Sequence, residues 1–326
     1  MKKIFIIILL SIVYNVNSQT KIWFDTDIMT GMPDKTAREV DDGITLIMAL
    51  KQPNIEIVGI SNITYIDYGF GIINKILGWH NHGKPIPVYK GSALANDLGT
   101  ENDGTRALYQ ALKKEKLTIL ALGPVTNIAT LVKNHPDIIK QIDKIVMCAA
   151  RTPNLVFNPG NGKLNVFDYN YEFDTQSMDV LLKSPIALEF AGYEPSSYLH
   201  IGKIDLANLD LTLEADKWLF DVVQPWMQFN KDLFDVYGFI PFDCATLGLI
   251  THSEYFTYYK DIPIKVNYKK NDAIKVQPAQ QFKKFLEVSY QFKSKKKVKY
   301  ARKALQGFEE KILESLSVKA KIENVK

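Results

Sequence analysis

Lys21-Ile22-Trp23-Phe24-Asp25-Thr26-Asp27, followed after a loop by Asp41-Asp42-Gly43-Ile44-Thr45-Leu46-Ile47-Met48-Ala49-Leu50, is the stretch that decides the fold. A short apolar run ending in Asp-Thr-Asp predicts a strand that stops at a polar edge. The apolar run opened by Asp41-Asp42 predicts a helix, so the pair is a strand–turn–helix unit. Side chains alternate along a strand, which sends Asp25 and Asp27 the same way. Four carboxylates around one turn repel each other. Raised pKa values or a bound cation relieve that repulsion. An all-oxygen donor set selects a hard ion, Ca²⁺ or Mg²⁺. Taken singly, Asp41 reads as a helix N-cap and Asp25 as a turn residue; the set on one turn is what points to a site.

Working outward, apolar and amphipathic runs alternate. Strands are predicted at Ile22–Asp25, Ile55–Ser61, Pro87–Tyr89, Leu117–Leu122, Lys144–Ala149 and Ile186–Phe190. Helices are predicted at Asp42–Lys51, Gly69–His80, Arg106–Lys114, Asn127–Lys133, Thr175–Lys183, Leu213–Phe234 and Ala304–Ser315. This alternation predicts an α/β fold, a mostly parallel central sheet with helices on both faces. Arg151–Phe167, rich in Asn, Pro and Gly, reads as a long loop. The basic cluster Lys293–Lys297, with Lys299, Arg302 and Lys303, reads as a solvated connection before the last helix. In such sheets ligands bind beyond the carboxyl ends of the strands. Asp25 and Asp27, the turn Gly123–Asn127, and the loop after Ala149 all fall there.

The chain has 326 residues, 46% of them hydrophobic and 23% charged, enough for a large globular core. Lys2-Lys3, the apolar run Ile4–Val13 and Val16-Asn17-Ser18 read as a signal peptide over residues 1–18. Residues 19–326 are then a single mature domain, exported to the periplasm or beyond, with no stable membrane insertion after cleavage. No cysteine follows the cut, which argues against a lipid anchor. Losing Lys2 and Lys3 takes the net charge from +4 to +2, too near neutral to argue for nucleic acid. Cys148 and Cys244 make no disulfide framework, and Cys148 reads as a buried free thiol.

Four blocks in order resemble the inosine-uridine-preferring nucleoside hydrolase family. They are Phe24–Asp27 with Val40–Ile44, Leu120–Ala129, Asp168–Asp174 and Phe242–Ala245. The resemblance implies an exported bacterial-type member with the family's fold and one Ca²⁺ at the base of a ribose pocket. By motif match, Asp27, Asp42, Asp243 and the Thr126 carbonyl are implied metal ligands, with Asp25 in support. Asp27 is the implied base that activates water. Asp41, Asn161, Asp168, Asn170 and Asp243 are implied contacts to the sugar, Asn161 by the loosest alignment. The implied activity is Ca²⁺-dependent hydrolysis of a ribonucleoside to ribose and free base. Its partner is a small-molecule nucleoside or riboside, and the family's habits imply a homo-oligomer.

The chain also departs from the family pattern. Thirteen residues, Ile28–Val40, separate the two aspartate pairs where the family has a much shorter gap. This insertion, with Met29, Met32 and Arg38, reads either as part of a lid or as a surface loop. Many members carry His before the late Asp; here the residue is Phe242. A second family position for His holds Asn102-Asp103-Gly104. His80 and His82 read as surface residues. Tyr193, Trp226 and Tyr237 are candidates to stack on or protonate a base, although aromatics at helical spacing are usually core. Alternative readings are a non-catalytic exported nucleoside-binding protein, a haloacid-dehalogenase-like phosphatase built on Asp25-Thr26-Asp27, and a hydrolase of a modified riboside.

Overall fold

The computed structural model describes residues 19–34, 36–160, 165–272 and 280–316. The proposed signal peptide and Asn161 lie outside them. The strands are β1 (Thr20–Thr26), β2 (Ile55–Asn62), β3 (Val88–Lys90), β4 (Leu117–Ala121), β5 (Ile142–Cys148), β6 (Leu188–Ala191), β7 (Phe256–Lys270), β8 (Phe282–Val288) and β9 (Lys297–Ala304). They form one nine-stranded sheet in the order β3-β2-β1-β4-β5-β6-β9-β7-β8. Neighbours from β3 through to β9 are parallel; β7 runs antiparallel to both β9 and β8.

The helices are α1 (Asp41–Leu50), α2 (Ile66–His80), α3 (Asp103–Lys114), α4 (Thr126–Asn134), α5 (Tyr169–Glu172), α6 (Thr175–Lys183), α7 (Tyr193–Ser196), α8 (Glu214–Phe234), α9 (Phe242–Thr251) and α10 (Phe308–Leu316). Strand alternation divides them between two cores. Ile22 and Phe24 of β1 pack with α1, α2, α8, α9 and α10, whereas Trp23 packs with α3, α4 and α6. A parallel sheet needs both faces covered, and the six predicted parallel strands are all present within a few residues of their expected ends.

The C-terminal part differs from the sequence reading. The basic run is a connection only over its first part, Lys293–Lys296 between β8 and β9: Lys297–Ala304, with Lys299, Arg302 and Lys303, is β9, paired with β6 and β7. Its apolar pattern is hidden by the charges, because Val298, Tyr300, Ala301 and Ala304 are buried while Lys297, Arg302 and Lys303 are exposed and Lys299 is half-buried. The last helix accordingly starts at Phe308 rather than Ala304.

The topology fixes the site. Strand order reverses at β1, whose neighbours are β2 on one side and β4 on the other. A crevice opens where successive connections leave in opposite directions. Asp27 follows β1 and the turn Gly123–Val125 follows β4, so both lie at this switch point.

Candidate functional site

Two helices, α1 and α9, bring acidic first turns to the crevice. α1 begins with Asp41-Asp42 and α9 with Phe242-Asp243; neither Asp41 nor Asp243 serves as a cap, since the caps are Val40 and Pro241. The carboxylates of Asp41, Asp42 and Asp243 offer ligand atoms all within 4.8 Å of one another. Asp27 stands outside that trio but lines the same cavity. Gly123 makes room for it: a Cβ there would lie 2.8 Å from Asp27 Cγ. All four aspartates are 5% exposed or less.

Their electrostatics follow from burial among like charges. Desolvation, with a further contribution from Asp41, pushes Asp42 up to about 7. Desolvation pushes Asp41 up to about 6, against hydrogen bonds from the amides of Asp243 and Phe242. Asp27 and Asp243 rise for the same first reason and through the charge of Asp42. Hydrogen bonds hold the group in place. Thr26 Oγ1 donates to Asp42 Oδ1, and the Asp243 amide donates to Asp41 Oδ2. Packed carboxylates of this kind suit a hard divalent cation, the donor chemistry of which is oxygen.

Asp25 has a different job. It lies on the Trp23 face of β1, accepting from Ser61 Oγ and, at 2.9 Å, from Asn127 Nδ2. Asn127 also accepts from the Ser92 amide, so α4 is tied to both β1 and the loop after β3. Thr126 and Asn127 do not cap α4; Val125 is the cap, and Thr126 Oγ1 donates to Asp174.

The long loop and α5 form the opposite wall. Asp168 caps α5 through the Tyr171 amide and accepts from the Ala150 amide at 2.8 Å. Burial pushes it up to about 6. Both Asn170 amide hydrogens are committed to backbone, at 2.6 Å to Leu122 O and 2.9 Å to Cys148 O. What Asn170 offers a ligand is therefore its carbonyl oxygen. Cys148 is half-buried and faces the cavity instead of filling the core, with its thiol pushed up by desolvation.

The cavity encloses about 390 Å³. Ligand sites of this order accept a molecule the size of a nucleoside. The insertion is part of its wall: Ile28 and Val40 anchor both ends in the core, while Met29, Thr36, Ala37, Arg38 and Glu39 line the space. Gly31, at φ +72°, lies against Val222 of α8. Met32 does not line the cavity. Sequence reasoning missed Glu39, whose only signal was its place beside Asp41-Asp42. Its carboxyl is pushed up to about 8 by desolvation and by the Asp41 and Asp42 charges.

Helix α8 supplies Trp226, Phe229, Asn230, Leu233 and Phe234 to the cavity. These recur at i, i+3, i+4, i+7 and i+8, one face of a helix, which sequence pattern would assign to core. Tyr193 and Phe242 also line the space, 6.0 Å apart. Tyr237 does not; it is exposed beside Lys231. His80 and His82 lie outside the lining. A larger cavity of about 820 Å³, near β3 and α3, carries no comparable carboxylate group, and Lys90 and Arg106 on its wall pair with Asp67 and Asp103.

A family model described as inosine-uridine preferring nucleoside hydrolase matches residues 22–304. The chain belongs to this family. That membership places it among hydrolases of N-glycosyl bonds, and gives no support to the phosphatase reading of Asp25-Thr26-Asp27. A probable uridine nucleosidase of Oryza sativa is 24% identical over 260 residues, covering 68% of this chain and 77% of its relative. A pyrimidine-specific ribonucleoside hydrolase of Salmonella paratyphi B is 22% identical, covering 69% of each. Among solved structures, a plant nucleoside hydrolase superimposes with a TM-score of 0.72 at 17% identity, over 92% of this chain and 99% of that one. A purine-preferring ribonucleoside hydrolase from Gardnerella vaginalis gives 0.70 at 19% identity, over 93% and 100%. At those identities the superpositions speak for the fold.

Proposed function

We propose that this nucleoside hydrolase family member cleaves ribonucleosides to ribose and free base, using Ca²⁺ held by Asp27, Asp42, Asp243 and the Thr126 carbonyl. The observation that carries the reading is that Asp42 and Asp243, with Asp41, offer buried ligand atoms within 4.8 Å of one another and line one nucleoside-sized cavity together with Asp27. Bound there, the ion supplies positive charge that orients the 2′- and 3′-hydroxyls and acidifies the attacking water.

The chain's own groups do the rest. Asp27 accepts the proton of water as it adds to the anomeric carbon. Asp41 accepts from the 2′-hydroxyl, and the Asn170 carbonyl and Asp168 bound the sugar from the opposite wall; Asn161 is a further sugar contact in the same proposal. The surrounding carboxylates favour the oxocarbenium character that the sugar acquires as the bond to the base stretches. Residues 1–18 act as the export signal, and N-terminal sequencing of the mature protein tests that part.

The deciding experiment is ribose release from purine and pyrimidine nucleosides and from 4-nitrophenyl riboside, before and after chelation and after Ca²⁺ is restored. Release that chelation abolishes and Ca²⁺ recovers is expected. Full activity in chelator, or no release from any riboside, overturns the proposal. Tight Ca²⁺-dependent nucleoside binding without any release would instead mark the protein as a binding protein.

A further inference from the structure

Two side chains of the cavity wall hang on one backbone turn. Asp168 accepts from the Ala150 amide at 2.8 Å, and the Asn170 amide group donates to Cys148 O at 2.9 Å. The turn leaves β5, which ends at Cys148. Ala150 within it is wholly buried and has a φ of +73°. Glycine adopts that left-handed conformation freely; alanine holds it only where its surroundings enforce it.

The enforcement comes from behind the wall. Tyr300 of β9 is wholly buried, and its hydroxyl proton is shared between Glu194 Oε2 and, at 3.3 Å, Ala150 O. Desolvation and the Glu194 charge push the phenol up, which keeps that proton on its oxygen. Through Oε1, Glu194 also accepts from the Thr152 amide at 2.8 Å. The turn is thus gripped on both sides of Arg151, whose own amide and carbonyl bond to β8. Gly192 leaves the space for this grip, because a Cβ there would overlap Ala150 O and the Tyr300 hydroxyl. Neither Tyr300 nor Glu194 lines the cavity.

We propose that Tyr300 and Glu194 are positioning residues for the hydrolysis: they hold Ala150 in its left-handed conformation, which aims its amide at Asp168 and the Cys148 carbonyl at Asn170. This rests on the sugar contacts proposed above for Asp168 and Asn170. With the grip released, the turn relaxes toward negative φ and the Ala150 amide swings away from the carboxylate. A displacement near 1 Å at a group that orients the substrate costs ~10²-fold. The aspartates on α1 and α9 are held separately, by Thr26 and by the Asp243 amide. Loosening the turn therefore weakens the hold on the sugar and leaves the proposed ion site as it is.

The test measures kcat/KM of the full mature chain on uridine, inosine and 4-nitrophenyl riboside, together with the Ca²⁺ concentration that gives half the maximal rate. Tyr300→Phe keeps the buried ring and deletes the hydroxyl. It is expected to lower kcat/KM by about ten- to a hundredfold on every substrate cleaved, with the Ca²⁺ midpoint unchanged. Adding Ala150→Gly to Tyr300→Phe is expected to restore most of the loss, because glycine needs no enforcement at that φ. Asp168→Asn and Tyr300→Phe are expected to be non-additive, since both act through one carboxylate. Glu194→Gln, which keeps the volume, carries the same expectations should Tyr300→Phe fail to fold. Undiminished kcat/KM, additive losses, a shifted Ca²⁺ midpoint or a loss that Ala150→Gly leaves untouched overturns the inference, and ribosyl hydrolysis still stands. If the wild-type chain cleaves none of the three, the hydrolysis reading falls and the positioning role falls with it.

Discussion

The Asp243 amide donates to Asp41 Oδ2 at 3.3 Å, joining the first turns of α9 and α1 across 202 residues of chain. The bond closes the site from its two sequence ends. It also brings two carboxylates together in a place where water cannot separate them. A cation resolves that conflict, and stability should report it.

The pH dependence of the metal-free protein has a definite sign. Asp41 and Asp42 are raised in the folded state, to about 6 and about 7, against an ordinary value of 3.8. A carboxyl raised on folding stabilises fully below its unfolded pKa, and that stability is lost as pH rises through the folded value. Chelated protein should therefore lose thermal stability between pH 4 and 7. With excess Ca²⁺ the carboxylates are wanted in their charged form, and the decline should flatten or reverse. Melting curves across that range, with and without Ca²⁺, check it; identical curves would separate the carboxylates from any ion.

Asp27→Asn should reduce turnover by about a hundredfold or more, the order that general-base catalysis contributes. Folding should survive, because the substitution removes a buried charge repelled by Asp42 and Glu39. Single-turnover kinetics beside a urea titration separate the two effects. Undiminished turnover would take Asp27 out of the chemistry.

Gly123→Ala tests the same carboxylate from behind. The added Cβ would sit 2.8 Å from Asp27 Cγ, so the carboxylate must shift. A displacement near 1 Å at a reacting group costs ~10²-fold. A fall in kcat of that size is expected, with helical content by circular dichroism unchanged.

Much of this was legible in the sequence, for physical reasons. Strands β1, β4 and β6 are buried almost throughout and β2 and β5 over most of their length, so they read as apolar runs; β3, half-buried and three residues long, is marked mainly by its flanking turns. Asp27, Asp41, Asp42, Asp168, Asn170 and Asp243 all line one cavity, as the ordering of the blocks implied. Strands β7 to β9 were not legible because they lie toward one edge, where the pattern mixes Lys with Tyr and Val. The aromatic wall was hidden for the opposite reason: Trp226, Phe229 and Phe234 look like a core stripe, and only tertiary packing shows that the stripe faces a cavity. Asp25, expected beside Asp27, turned out to serve the other face of the sheet, since adjacent face assignments end with β1 at Thr26.

Arg151 joins the long loop to the sheet edge, and it gives the last prediction. The residue is 1% exposed, and its guanidinium lies 2.7 Å from Asp272 and 3.5 Å from Glu172, with the Phe157 ring centre at 4.0 Å and that of Phe285 at 5.0 Å. Its backbone bonds in both directions with β8, through Leu286 and Val288. Removing the charge leaves Asp272 and Glu172 with Lys283 as their shared cation. Breaking a buried ion pair from one side typically costs about 3–5 kcal/mol. Arg151→Leu should lose stability of that order in urea denaturation. Phe157, which rests on the guanidinium and on Tyr193, should lose its place in the cavity wall. KM should then rise more than kcat falls, because the carboxylate cluster on α1 and α9 does not touch this network. A variant of native stability would show that packing alone holds the loop, and a collapse of kcat with KM unchanged would tie Arg151 to the chemistry itself.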